Sequence, residues 1–375
     1  MFDVIIIGAG PSGSSCAYNL KRNYPAVKVL LLDKSEFPRY KPCGGGVSPE
    51  VANYLDFDLI PGVDSICNEV VMVANGRQIM TENYPLWMVR REVFDNYLLS
   101  QAKEAGVEFC SGCEVADIQK NNDDNYQVLT TTGNLFAKIV VIAEGGRGKL
   151  AKKLGIAPKN NILAAMEYEH YTTSLDGKLY IDFDYNDSGY AWNFPKSDGL
   201  SLGIGGLIKG RVKGAGLPKK LTSYAKQFKV DKLIKEHLHG HPIELYSGKQ
   251  KLVYDRIILI GEIAGCVDPL TAEGIRPAIK SGYLAAKSIV LALKNNDLGQ
   301  VKSYSNIFHE EIGKDMQRAR LMSYFLNQHM QKVLPMLSNE AAVRGFMQVF
   351  SGQSSYTEKI NLRRVLKLIT RSLWG

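Results

Sequence analysis

Val4-Ile5-Ile6-Ile7-Gly8-Ala9-Gly10-Pro11-Ser12-Gly13, followed by Val29-Leu30-Leu31-Leu32-Asp33, is the stretch on which the fold turns. A short, wholly apolar run over 4–7 is what a strand buried on both faces requires. It runs directly into Gly8-x-Gly10-x-x-Gly13 and a small-residue helix over 12–20, after which a second apolar strand over 27–32 ends on an acid. Strand, glycines, helix, strand and acid in this order form the βαβ signature of a dinucleotide site. Gly8 permits the tight turn, Gly10 admits a pyrophosphate close to the backbone, and Gly13 lets helix and strand pack together. The helix start offers unpaired N–H groups and a partial positive charge to the phosphates. Asp33, 20 residues after Gly13, stands where a carboxylate accepts hydrogen bonds from the adenosine ribose.

Composition frames this motif. The chain has 375 residues, too many for one ordinary core, so two lobes are expected. With 45% hydrophobic and 22% charged residues it is a folded, soluble type of sequence. Its apolar runs, such as 5–7, 29–32 and 257–260, fall far short of the roughly 20 residues of a membrane helix. The N-terminus shows no basic region, apolar core and cleavage site of a secretory signal, so a cytoplasmic location is expected. Six cysteines are too sparse for a disulfide scaffold. Cys110-x-x-Cys113 has the spacing of a redox pair, but its place at the end of a strand favours simple packing, and no metal site is expected. The Lys and Arg excess leaves a net charge of +8 in short patches, without a nucleic-acid module.

Further along, Cys43-Gly44-Gly45-Gly46 is a glycine cluster, and a helix is expected over 90–105. A hairpin follows over 115–132 with Gly133-Asn134 as a turn, then a buried strand over 138–143. Alternating, aromatic-rich text over 160–208 predicts antiparallel strands. Residues 209–240 read as a basic, mostly helical insertion, in which His237-x-His239-x-His241 is assigned to solvated surface. A strand over 256–260 and a helix over 274–294 complete the first lobe. The expected class is therefore α/β. It comprises a discontinuous dinucleotide domain (1–75, 90–158 and 250–294), a sheet domain (76–89 and 159–249) and a C-terminal helical region (295–375).

Three separated segments, spanning residues 1 to about 290, together resemble the flavoprotein group of aromatic-ring hydroxylases, halogenases and geranylgeranyl reductases. They are the opening glycine motif with Asp33, Val141-Ile142-Ala143-Glu144-Gly145, and Gly261-Glu262-Ile263-Ala264-Gly265. The last is similar to the group's ribityl motif, Gly-Asp-Ala-Ala-Gly, with Glu262 in place of Asp. Two further motifs resemble the geranylgeranyl reductase branch. One is the Cys-Gly-Gly loop in Arg39-Tyr40-Lys41-Pro42-Cys43-Gly44-Gly45-Gly46. The other is Tyr190-x-Trp192-x-Phe194-Pro195, whose fuller form has Pro where this chain has Asp187.

The resemblance implies a Rossmann-like, glutathione-reductase-type domain holding FAD, beside an antiparallel substrate sheet. It implies cofactor contacts at Gly8, Gly10, Pro11, Ser12, Gly13, Asp33, Lys34, Arg39, Cys43, Gly44 and Gly45. Arg91 (in Arg91-x-x-Phe94-Asp95), Val115, Ala143, Glu144, Gly145, Gly261, Glu262, Gly274 and Ile275 complete that set. Substrate contacts are implied at Gly45, Gly46, Trp192, Phe194 and Pro195, with Cys43 and Tyr190 as candidate proton donors.

The implied activity is reduction of isolated C=C bonds in geranylgeranyl chains of lipids or related isoprenoids. A flavin-dependent monooxygenase on the same fold is the alternative; the halogenase segment Trp-x-Trp-x-Ile-Pro does not occur. No second Gly-x-Gly-x-x-Gly unit is present, so the electron donor is either NAD(P)H bound transiently or a small acidic protein such as ferredoxin. At the C-terminus, Leu362, Val365, Leu366, Ile369 and Leu373 share one helical face, flanked by Lys359, Arg363, Arg364, Lys367 and Arg371. Such a basic amphipathic helix over 359–374 suits either packing on its own protein or peripheral contact with the inner face of a membrane.

Overall fold

A computed structural model describes residues 1–185, 189–207, 216–337 and 340–359. Phe2–Ile7 forms the centre of the first sheet, flanked in parallel by Val29–Leu32 and Gly133–Ile142. Glu108–Cys110 extends it on one side; on the other, Ile257–Leu259 adds in parallel and Val253–Tyr254 closes the edge antiparallel. Both faces of this sheet are covered, which is why its central strands read as unbroken Val, Ile and Leu. Helix Pro11–Asn23 lies against the sheet and against helix Ile275–Lys294. The helices meet closely at Gly282, where a Cβ would come within 2.2 Å of the Ser12 carbonyl oxygen.

The second sheet has seven strands in the order Leu238–Leu245, Asn161–Tyr171, Gly199–Leu207, Gly189–Lys196, Leu179–Asp182, Val70–Ala74 and Arg77–Thr81. All neighbours are antiparallel except Leu179–Asp182 with Val70–Ala74. A small third sheet of Gly46–Val47, Leu86–Met88 and Ser65–Cys67 lies between. Helix Lys314–Leu337 leads to Glu340–Phe350, which returns to the second sheet; Val343, Met347 and Phe350 share a core with Trp192 and Phe194.

The structure corrects three boundaries. The domain limit at 75 cuts through a hairpin: Val70–Ala74 and Arg77–Thr81 pair across Asn75-Gly76, both at positive φ, so Val70–Ala74 belongs to the second sheet. Gly133 and Asn134 are not a turn but pair with Thr130 and Leu129 inside the strand, and the chain reverses at Thr131-Thr132. The segment 209–240 carries helix Leu217–Ala225, but its end already belongs to edge strand Leu238–Leu245. Asp187 and residues 360–375, which hold nearly all of the expected amphipathic tail, lie outside the described residues. Among the described residues no helix is long and apolar enough to cross a membrane.

Candidate active site

One cavity joins the two lobes, and strand alternation supplies its wall on the sheet side. Leu163, Ala165 and Glu167 project from one strand, Tyr190, Trp192 and Phe194 from another, and His239, His241 and Ile243 from the edge strand. The register aligns them in rows: His239, Glu167, Gly203 and Trp192 form one, and His241, Ala165, Gly205 and Tyr190 the next. The aromatic rings follow one another along their strand, with centroids 6.1 Å apart and planes inclined at 63° for Tyr190–Trp192, and 6.2 Å and 45° for Trp192–Phe194. Phe350, from the last long helix, also reaches the cavity.

The opposite wall is the dinucleotide end, lined by Gly8, Gly10, Pro11, Ser12, Asp33, Arg39, Ala143, Glu144, Gly145, Glu262, Gly274 and Ile275. Helix Pro11–Asn23 starts at Gly10 with no side-chain cap and no acid in its first turn. Its free N–H groups therefore face the cavity, ready for an anion. The Asp33 carboxylate accepts from the Ala9 N–H at 2.8 Å and the Ser35 N–H at 2.9 Å, fixing the glycine loop. Arg39 stands in front of that loop: a Cβ at Gly10 would lie 3.5 Å from its Nη2. A glycine cradle, an uncapped helix start and an adjacent guanidinium fit the pyrophosphate of FAD.

Between the two ends runs the loop Lys41-Pro42-Cys43-Gly44-Gly45-Gly46. It is held by Lys196, whose buried Nζ donates to the carbonyls of Gly44 at 2.9 Å and Val89 at 3.0 Å. Burial pulls this ammonium down to about 8. Arg91 makes a paired hydrogen bond to Asp95 and borders Cys43. Glu262 accepts from the Glu244 N–H at 3.2 Å and faces Lys41 Nζ at 3.4 Å. Burial opposes its charge, but Lys41, His241 and the surrounding N–H groups hold its carboxyl below the usual range.

Several expected residues lie elsewhere. Pro195 alternates to the opposite face of its strand from Trp192 and Phe194, and so does not line the cavity. Lys34 is exposed and Val115 begins a hairpin strand; neither borders the cavity. Gly13 and Gly261 lie behind the lining, as packing positions against Gly8 and Ser12. Glu144 spends its carboxylate on capping, accepting from the N–H groups of Lys149, Leu150 and Ala151 at 3.2–3.3 Å, which leaves its backbone to the cavity. The Tyr190 hydroxyl donates to the Thr271 carbonyl, and burial pushes its ionisation further up, so it forms wall rather than a free acid.

The histidine assignment is overturned. His239 and His241 line the cavity, and burial with nearby Lys41 depresses His241 to about 4, so its ring is neutral near pH 7. Lys41, Glu167, Ile243 and Phe350 also line the cavity, beyond the residues to which the motifs point. For Glu167 the signal was present, an acid at alternate spacing from Leu163 and Ala165 on a strand whose neighbours are apolar.

A protein-family model described as lycopene cyclase protein matches residues 3–188, the part that contains the glycine motif and the Cys-Gly-Gly loop. The digeranylgeranylglycerophospholipid reductase of Methanococcus aeolicus is 28% identical over 340 residues, 84% of this chain and 83% of that one. The geranylgeranyl diphosphate reductase of Synechocystis is 30% identical over 321 residues, 78% of this chain and 76% of the relative. The chain belongs to the geranylgeranyl reductase family. As a member of the geranylgeranyl reductase family it is a flavin-dependent oxidoreductase. Its fold is shared with a geranylgeranyl bacteriochlorophyll reductase-like protein of Thermoplasma acidophilum, at a TM-score of 0.80 and 22% identity over 98% of this chain and 95% of the other. A flavin-dependent brominase shares it too, with a TM-score of 0.74 at 21% identity over 94% and 93% of the two chains.

Proposed function

We propose that this member of the family reduces isolated C=C bonds in the geranylgeranyl or related polyprenyl chain of a lipid. One observation supports it above others: the FAD-shaped end and the apolar, aromatic-walled end belong to a single cavity. FAD, when bound and reduced, supplies a hydride. An isolated alkene has no carbonyl to absorb charge, so a proton must arrive at one carbon while positive charge develops at the other, the carbon that takes the hydride. Leu163, Ala165, Ile243 and Val267 take the chain's methylenes out of water. Tyr190, Trp192 and Phe194 present ring faces that favour the developing cation. Gly46 brings the loop against the Phe194 ring, Gly45 packs on the Val89 carbonyl, and both border the substrate end beside Cys43.

The electron donor in this reading is NAD(P)H or a small acidic protein of ferredoxin type; the net charge of +8 supports the second through steering. The setting is the cytoplasm, at a membrane surface contacted through 359–374. Liposome co-sedimentation of the full chain should exceed that of a chain ending at Glu358; equal binding removes that contact.

The direct test is anaerobic reduction of the bound flavin followed by geranylgeranyl diphosphate or a digeranylgeranyl lipid. Reoxidation with two hydrogens gained per double bond is expected. Reoxidation only on admission of oxygen, with a hydroxylated product, identifies a monooxygenase instead. Within the same assay Gly203→Ala is informative. Its Cβ would fall 2.0 Å from Trp192 Cζ2, so the indole must leave its place. Turnover should drop about tenfold, equivalent to about 1.4 kcal/mol of positioning, while flavin content stays constant. Wild-type turnover in this variant would show that the Trp192 position does not matter.

A further inference from the structure

Among the described residues, Glu167 is the one acid on the inner face of the second sheet that combines deep burial, a place on the cavity wall and a path to water. It is 3% exposed, rare for a glutamate, and lies in the same cross-strand row as His239, Gly203 and Trp192. Because Gly203 between them carries no side chain, the Trp192 indole occupies the space over it, toward the strand of Glu167. The carboxylate accepts from the Tyr40 hydroxyl at 2.9 Å and from the Cys43 N–H. Tyr40 itself is 43% exposed, its ring packed against His239 at 4.6 Å between centroids. Solvent, phenol and carboxyl therefore lie in sequence and end in the cavity.

We propose that Glu167 is the acid that protonates the alkene and that Tyr40 returns its proton from water. The role rests on the reductase reading above. In the step, the alkene π bond breaks and two C–H bonds form. One takes the hydride with its electron pair from reduced flavin; the other takes the proton from the Glu167 carboxyl. The alkene is reduced, the flavin is oxidised, and the carboxylate left behind takes the Tyr40 proton as the phenol oxygen takes one from water. The groups facing Glu167 are Tyr40 and Cys43 from the loop, Glu169 on its own strand, Lys196 on the aromatic strand and His239 on the edge strand. Burial lifts its carboxyl to about 7, opposed by the hydrogen bonds from Tyr40 and Cys43 and by Lys196, and aided by Glu169. An acid poised there holds its proton below pH 7 and gives it up readily.

The test uses flavin-loaded protein, wild type, Glu167→Gln and Tyr40→Phe, reduced anaerobically and mixed with geranylgeranyl diphosphate at a series of pH values. The wild-type rate should be level below about pH 7 and fall tenfold per unit above it, as the acid form disappears. E167Q, with wild-type flavin content, should lose about 100-fold or more, and its residual rate should lack that limb. Y40F removes a hydrogen bond that favours the carboxylate, so its limb should move to higher pH. Infrared titration of the protein without substrate gives a readout apart from turnover: a carboxyl band titrating near pH 7, absent from E167Q. An E167Q protein with wild-type rate and pH profile, or a spectrum with no such band, overturns the role. A wild type that passes electrons to no prenyl chain overturns the reductase reading, and this role with it.

Discussion

Gly13→Ala is expected to yield a protein that is purified nearly without flavin and is markedly less stable. The added Cβ would sit 1.8 Å from the Gly8 carbonyl oxygen. Gly8 has nowhere to go: its N–H donates to the Leu32 carbonyl at 2.7 Å, and its own Cβ position, at φ +108, lies 2.3 Å from the Ala143 carbonyl oxygen. The helix cannot retreat either, since Ser12 and Cys16 already touch the backbone of Gly282 on the far side. Overpacking against backbone on both sides falls at the upper end of the usual cost, about 3 kcal/mol. Displacing the helix start also withdraws the N–H groups from the pyrophosphate. Gly10→Ala separates the two effects. Its Cβ would meet only Arg39 Nη2 at 3.5 Å, so the fold should survive while the methyl intrudes on the phosphate path. Flavin-to-protein absorbance and the melting temperature read both: G13A should lose on both counts, G10A on flavin alone. A G13A protein with wild-type flavin content would refute this account of the loop.

The same residues explain why the first lobe is legible in sequence. A glycine turn between two all-apolar strands is a local pattern, complete within 33 residues, and its chemistry follows from backbone geometry alone. The antiparallel sheet was also legible, because alternation over 160–208 is local. What could not be read was which alternating residues face one another. Glu167 and His239 are register partners more than seventy positions apart, and that pairing places both in the cavity. His237-x-His239-x-His241 looks like surface beside the basic text before it; only as an edge strand of the second sheet does it turn two rings inward. Phe350 arrives from a helix with no motif, and Val70–Ala74 pairs with a strand more than a hundred residues later. Tyr190 was legible as a cavity residue but not as a committed donor, since its partner, the Thr271 carbonyl, belongs to the other lobe.

Asp95→Ala is expected to lower stability and flavin affinity together. Asp95 is fully buried on helix Arg91–Glu104 and accepts from Arg91 Nε and Nη2, each at 2.7 Å, while Arg39 Nη2 lies 3.1 Å from the same carboxylate. One carboxylate therefore holds two guanidinium groups at the cofactor wall, one in front of the glycine loop and one beside Cys43. Removing it leaves two like charges facing each other without a counter-ion. Breaking a buried pair from one side costs about 3–5 kcal/mol, because the charge that remains is uncompensated. The urea midpoint should shift accordingly. Flavin affinity should fall as well, since Arg39 loses the anchor that keeps it before the phosphates. Asp95→Asn keeps the shape and can still accept from one guanidinium N–H, so it should fall between wild type and D95A in both measurements. If D95A unfolds at the wild-type midpoint, the cluster is not part of what holds this wall together; if it is destabilised but binds flavin as tightly as wild type, Arg39 takes its position from Phe37, against whose ring it packs at 4.8 Å, rather than from Asp95.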